Sequence, residues 1–313
     1  MPFLLRRFLT LLLTLLLVSL LTFLAFQIIP GDPVTLILGT EASPERVEVL
    51  RHQLGLDQSL PIRYFAWLGG IFHGDLGESI KYSLPVRELI ASRLPVTAWL
   101  SGLSILFVLV LTIPIALYSV MRRNTAGERV VGTLLMLNIS VPGFFLGILF
   151  LWFFGIVLKV FVPGGYVAYD KDFFGFLHYL VFPALAIALP NTAVLVKFLR
   201  NSAIGQMKAD YVRTAYSKGN SDHGVLLRHV MRNAVIPVVT LFGMVVAEVF
   251  AGSIIIEQVF GLPGLGRLLT SSITSRDFPM VESLVVLIAG IVVFVNFLAD
   301  VLIQVLDPRI RVG

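Results

Sequence analysis

The sequence predicts an all-α, polytopic membrane protein with six transmembrane helices. Composition is the first reason: of 313 residues, 57% are hydrophobic and only 14% charged, where a soluble globular chain is roughly half apolar and a quarter charged. The second is distribution. The apolar residues gather in long, almost uncharged runs, close to the ~20 residues a helix needs to cross the hydrocarbon core. The third is that Lys and Arg collect in alternate connecting segments. There is no cysteine, which excludes disulfides, thiolate metal sites and cysteine nucleophiles.

Residues 8–29 form the first run, 22 positions without a charge after Arg6 and Arg7. A cleaved signal has a shorter core and a small-residue cleavage site, so this is expected to be a retained span. Residues 30–94 have ordinary mixed composition and are expected to form a helical subdomain outside the bilayer. Within it, Ser43-Pro44-Glu45 reads as an N-cap with proline at the first helical position, and Gly55 is placed to end that helix. Residues 61–72 form a second candidate helix, with Ile62, Phe65, Leu68 and Phe72 along one face. Gly74-Asp75-Leu76-Gly77 is a turn, and residues 85–92 a third short helix.

Residues 95–313 are expected to form a five-helix core. Its spans are residues 96–121, 130–158, 174–196, 234–260 and 283–299. Six spans put both termini on one side. With the N-terminus in the cytoplasm, the inner segments carry 14 of the 24 Lys and Arg, seven of them in residues 197–233. The positive-inside rule therefore puts both termini and that loop in the cytoplasm. The net charge of +5 is accounted for by this asymmetry and needs no nucleic acid.

The polar stretch 210–237 is the densest source of chemistry. Ile204, Met207, Tyr211 and Ala215 recur at helical spacing, Lys218-Gly219 is a C-terminal signal, and Asn220-Ser221-Asp222 restarts a helix. The product is a cationic helix-turn-helix elbow. A solvated loop whose charges only set topology is the alternative; the apolar stripe argues against it.

Glu248 falls near the middle of the fifth span and Glu257 near its outer end. An intramembrane acid is costly and commonly faces protein or a watery path. Glu248 is expected to line a pore and meet a cationic part of the substrate; a structural acid, protonated or paired with Asn138, Asn296 or a partner subunit, is the alternative. Gly261-Leu-Pro263-Gly264-Leu-Gly266 lacks the Lys-Ser/Thr of a phosphate loop. It reads as a shaped loop near a translocation path. Pro114, Pro142, Pro183, Pro190 and Pro237 would kink or cap spans. The five histidines show no metal-ligand spacing.

Several motifs in order carry a family resemblance. Arg213-Thr214-Ala215-x-x-Lys218-Gly219, followed by Arg228-His229-x-x-Arg232-Asn233-Ala234-x-x-Pro237, resembles the cytoplasmic loop of ABC-importer permeases of the dipeptide, oligopeptide and nickel class. So do Pro30-Gly31-Asp32-Pro33, Leu54-Gly55-Leu56-Asp57, Gly74 to Gly77, Gly252-Ser253-Ile254-x-x-Glu257-x-x-Phe260, Pro263 to Arg267, Arg276-Asp277-Phe278-Pro279 and Asp307-Pro308-Arg309. Arg213 departs from the general pattern, which has Glu there, and Tyr216 stands where this branch often carries a base. The resemblance implies that Asp210, Tyr211, Arg213, Thr214, Ala215, Lys218, Gly219, Arg228, His229, Arg232 and Asn233 couple to an ATPase. It implies that Glu257, Pro263, Gly264 and Gly266 lie at an outer gate, with Glu248 added on its own chemistry.

The implied partners are a second permease, expected to be a paralogue, two cytoplasmic ATPases that bind ATP and Mg, and an extracytoplasmic solute-binding protein. The expected place is the cytoplasmic membrane of a bacterium or archaeon. Without G-x-x-x-x-G-K-[ST], H-E-x-x-H or G-x-S-x-G, the chain has no ATPase, zinc-protease or serine-hydrolase motif. It binds no cofactor on this reading. Peptides are the expected cargo; nickel, glutathione or another small solute is the alternative, and an ion-coupled secondary transporter a more distant one.

Overall fold

In the computed structural model, residues 2–28, 34, 38, 43–53 and 56–306 are described. The expected motifs at Pro30 to Pro33 and Leu54-Gly55, including the helix stop at Gly55, lie outside the described residues, as does Asp307-Pro308-Arg309. The architecture is helical; among the described residues the only β pairing is an isolated bridge between Glu78 and Pro85.

Helix α1 is Pro2–Ile28, α2 Pro44–Gln53 and α3 Leu60–His73. Then come α4 (Val86–Met121), α5 (Ala126–Ser140) and α6 (Gly143–Phe150), which widens into a π-helical segment, Leu151–Val157. Helix α7 is Phe173–Gln206 and α8 Asp210–Ser217. Helix α9 (Asp222–Val225) passes through a π-helical segment, Leu226–Val230, into α10 (Met231–Ala234). Helices α11 (Ile236–Phe260), α12 (Leu265–Thr274) and α13 (Phe278–Leu306) complete the chain.

Among the described residues, five helices are long and apolar enough to cross a membrane: α1, α4, α7, α11 and α13. The third expected span, residues 130–158, is not one rod. It is α5 and α6 bent by 103°. The cause sits at the joint. Pro142 has no N–H to continue the ladder, and Val141 before it takes the extended conformation (φ −96°, ψ 122°) that a following proline favours. The expected short helix at 85–92 is also not separate, because it is the first turns of the 36-residue α4. That helix is about 54 Å long at ~1.5 Å per residue, and so outruns the ~30 Å core. It also crosses the expected boundary between residues 94 and 95 without a break.

Helix α7 is the hub, packing on α4, α5, α6 and α11. Leu180, Ala184, Ala188, Leu195, Leu199 and Ala203 are buried on its inner faces, where the alanines let neighbouring backbones come close. Helix α1 runs antiparallel along α13. Arg7 pairs with Asp300 at 3.2 Å, and Phe26 packs edge-on to Phe278 with ring centroids 5.7 Å apart. A smaller apolar cluster (Val86, Ile90, Leu265, Leu268, Met280, Leu284) joins the starts of α4, α12 and α13 at one end of the bundle. The opposite end carries α8 to α10. There, Arg200 on α7 and Glu128 on α5 form a partly buried ion pair at 2.6 Å.

Candidate coupling and translocation sites

The elbow is built from local signals. Helix α8 stops at Lys218, and Gly219 takes φ +77°, a left-handed conformation in which a Cβ is disfavoured. The Ser221 hydroxyl accepts from the Gly224 N–H at 3.3 Å and caps α9. The Asn220 side chain donates to the Ala215 carbonyl at 2.9 Å, tying the turn back to α8. The expected stripe of Ile204, Met207, Tyr211 and Ala215 does not form, because α7 ends at Gln206 and α8 restarts at Asp210 with Ala209 extended between them. A periodicity counted across that break has no single helix to act on. The buried face is instead Val212 and Ala215 on α8 with Val225, Leu226, Val230, Met231 and Ala234, all part of the main core.

The elbow is therefore seated on the bundle, and its outer face is polar. Asp210, Tyr211, Arg213, Thr214, Lys218, Arg228 and Arg232 are exposed, His229 and Asn233 half-buried. Arg213 and Asp210 approach to 3.7 Å with both side chains open to solvent, where such a pair is weak. The Tyr216 phenol is pushed above its ordinary value, by burial first and then by the Asp222 charge.

Glu257 lies in the interior, not on a water-facing wall: it is 0% exposed. Its carboxylate accepts from the Thr97 hydroxyl at 2.6 Å, the Gly266 N–H at 2.7 Å and the Arg267 N–H at 3.2 Å. Thr97 in turn accepts from the Leu265 N–H at 2.9 Å. Together they satisfy the first free N–H groups of α12, where a helix N-terminus favours an anion. The glycines follow from this packing. A Cβ on Gly264 would collide with the Glu257 carboxylate, and one on Gly266 with the backbone of Ile254. Gly261 ends α11 at φ +68°, and its carbonyl accepts from the Arg267 guanidinium at 2.7 Å. Pro263 is half-buried in the same turn.

Glu248 stands nine residues before Glu257 on the same helix, about 13.5 Å along its axis, and differs in kind. It is exposed, on the wall of a groove of about 340 Å³ between α5, α6, α7 and α11. Ile139, Phe144, Ile187, Pro190 and Asn191 share the lining. Pro190 lacks the N–H that would pair with the Ala186 carbonyl. Gly143 sits at that carbonyl, where a Cβ would come within 3.3 Å of it. The structure thus separates the two acids: Glu257 is a satisfied internal ligand of α12, whereas Glu248 faces open space among apolar side chains.

A further junction stands at the end of the bundle that holds the glycine loop. Asp277 is 0% exposed. It accepts from the Ser79 hydroxyl, the Ile80 N–H (3.1 Å) and the Lys81 N–H (3.4 Å). Ser283 donates to the Leu76 carbonyl at 3.3 Å.

Comparison with known proteins gives these geometries a context. Residues 1–101 match the N-terminal family described as "Binding-prot-dependent transport system membrane comp, N-term", and residues 98–312 match "Binding-protein-dependent transport system inner membrane component". The chain belongs to this family of inner membrane transport components. The permease is 40% identical over 296 residues to a "Putative peptide transport system permease protein" of Brucella abortus (strain 2308), covering 95% of this chain and 94% of the relative. It is 37% identical over 309 residues to the "Glutathione transport system permease protein GsiC" of Salmonella typhi, covering 99% of this chain and 98% of that one. A solved structure titled "Crystal structure of an amino acid ABC transporter with histidines" superposes with a TM-score of 0.50 at 18% identity, over 71% of this chain and 94% of the other; this likeness bears on the fold alone.

Sequence reasoning missed two partners in the permease. Thr97 and Ser79 are ordinary hydroxyl residues whose importance comes from Glu257 and Asp277, 160 and 198 positions away. The one signal within reach was that the family motif Gly74 to Gly77 ends two residues before Ser79 and the motif Arg276 to Pro279 contains Asp277; no such motif adjoins Thr97.

Proposed function

We propose that the permease is a membrane subunit of an ATP-driven, binding-protein-dependent importer whose cargo is di- or oligopeptides. The carrying observation is near-full-length similarity to a permease named for peptide transport. The exposed basic elbow fits this reading as the surface that docks on ATPase subunits. They bind ATP and Mg, since this chain has no phosphate loop. Both termini and residues 197–233 are cytoplasmic on the charge asymmetry. The Ser79–Asp277 and Glu257–α12 junctions then lie toward the binding protein. A second permease, a paralogue of this one, supplies the opposite wall of the path, and the groove bearing Glu248 faces it. Two ATPases serve the pair.

ATPase closure would press on α8 and be transmitted to α11 through α9 and α10, because Val225, Val230 and Ala234 are locked in the core. Glutathione or another small solute is a second reading, favoured by the 37% identical relative named for glutathione. The test is uptake into proteoliposomes holding both permeases and both ATPases, with binding protein outside. ATP-dependent accumulation of a labelled dipeptide is expected. Uptake that persists without ATP under an ion gradient would overturn the importer reading, and uptake of glutathione but no dipeptide would replace the cargo.

A further inference from the structure

Helix α3 is the element the importer reading leaves unexplained. Its sequence, Leu-Pro-Ile-Arg-Tyr-Phe-Ala-Trp-Leu-Gly-Gly-Ile-Phe-His, is apolar apart from Arg63, the Tyr64 hydroxyl and the terminal His73, and none of its residues is buried. One side packs on α1. Tyr64 and Trp67 lie against Phe23 with centroids 5.4 and 5.9 Å apart. The Tyr64 hydroxyl shares a 2.9 Å hydrogen bond with Ser19. The opposite side carries Ile62, Phe65, Ala66, Gly69 and Phe72, an uncharged stripe at helical spacing. Ile62 is 57% exposed, Phe65 67% and Phe72 81%. Three of the four residues expected along one face of this helix, Ile62, Phe65 and Phe72, thus face away from the protein, whereas Leu68 is half-buried. An apolar helix face of this size belongs in a core or in a membrane, and no core covers this one.

Its depth decides which. Ser19 lies inside the membrane-spanning part of α1, Leu5–Phe26, seven residues before its end. At ~1.5 Å per residue that is about 10 Å below the end of the span. A helix bonded there is at the level of acyl chains, and α1's own exposed leucines, among them Leu16, Leu20 and Leu24, belong to that lipid-facing surface. The polar groups of α3 match a boundary position. The Arg63 guanidinium sits 6.0 Å from the centroid of the Phe23 ring, where a long cation can reach up to headgroups. Tyr64 and Trp67 are the residue types that gather at the membrane interface. Gly74 then turns the chain out at φ +76°.

We infer that α3 is an interfacial membrane helix, laid in the leaflet at the C-terminal end of α1, with Ile62, Phe65 and Phe72 in contact with lipid acyl chains. Helices of this kind sink an apolar face roughly 5–10 Å below the headgroups, which agrees with the Ser19–Tyr64 bond. The neighbours α2 and residues 74–85 stay on the aqueous side. A sister permease covering the stripe is the competing occupant. Against it, the stripe from Ile62 to Phe72 offers no charge or hydrogen-bonding side chain, and the imidazole of His73 at its C-terminal end is bonded back to the Gly69 carbonyl at 2.8 Å, whereas interfaces between subunits carry polar rims.

The absence of cysteine makes the test direct. Phe65→Cys and Phe72→Cys would each carry a nitroxide label, with Ser59→Cys as an aqueous control, in the assembled transporter (its other chains free of reactive cysteine) in proteoliposomes. Expected at both stripe positions is relaxation by oxygen exceeding relaxation by a water-soluble nickel chelate severalfold, with the ratio reversed at Ser59→Cys. Nickel accessibility equal to the control would put α3 in water and overturn the inference. Protection from both reagents would put it under another subunit and also overturn it. Phe72→Cys carries the test if Phe65→Cys does not assemble. None of these outcomes depends on cargo or ATPase activity.

Discussion

Thr97 and Glu257 meet in the protein interior through a 2.6 Å hydrogen bond, although 160 positions separate them. Thr97 also receives the Leu265 N–H at 2.9 Å, so one hydroxyl links α4, α11 and the start of α12. Thr97→Val keeps the shape and deletes both bonds. It leaves a buried carboxylate oxygen and a buried N–H without partners, at about 1–3 kcal/mol for each group. Thr97→Val should lower the thermal midpoint of the purified protein in detergent, and Thr97→Ser should restore it. Equal midpoints for the valine variant and the parent would remove Thr97 from the clamp.

The glycine loop should respond residue by residue. At Gly266 a Cβ meets the backbone of Ile254, which cannot swing aside; at Gly264 it meets the Glu257 carboxylate, itself tied by three hydrogen bonds. At Gly102 nothing lies within 4 Å. Forcing a methyl into packed structure costs about 1–3 kcal/mol. Gly266→Ala and Gly264→Ala should therefore reduce folded yield on size exclusion, while Gly102→Ala leaves it unchanged.

What could be read from the sequence follows from how local each cause is. Five of the six expected spans were legible because apolar runs of this length have few alternatives. The turn at Gly219 and the cap at Ser221 were legible because both act within four residues. The 103° bend was not, since residues 130–158 are apolar on both sides of Pro142 and a proline alone does not say whether a span kinks or breaks. The buried face of the elbow was hidden for another reason: Val212 and Ala215 are inside because α9 and α10 lie over them in the core. Glu257 was placed at an outer gate on the family motif; only the fold brings it the N–H groups of α12.

Gly219 offers a test of the elbow in which sterics and backbone separate. Nothing lies within 4 Å of the position a Cβ would take, yet φ is +77°. The penalty for a side chain there is conformational, about 1–2 kcal/mol, and greater for a β-branched residue. Gly219→Val should abolish transport and its coupling to ATP hydrolysis while membrane insertion stays normal. Gly219→Asn, which tolerates the left-handed region, should retain part of the activity. Parental uptake by the valine variant would take the turn out of the mechanism.

Glu248 is the side chain whose surroundings point most directly at a charged cargo. Among the described residues no hydrogen bond or ion pair engages its carboxylate, and Ile139, Phe144, Ile187 and Pro190 give the groove low polarity. A charge-assisted hydrogen bond from a substrate ammonium is worth about 1.5–3 kcal/mol. Glu248→Gln keeps the volume and removes the charge. It should raise the apparent KM for a dipeptide with a free amino terminus by roughly tenfold, as 1.4 kcal/mol is one decade, and leave an amino-blocked analogue almost unaffected. Because Glu248 is exposed, the substitution should not change the thermal midpoint. Equal loss for both substrates, or a fall in stability, would give Glu248 a structural role.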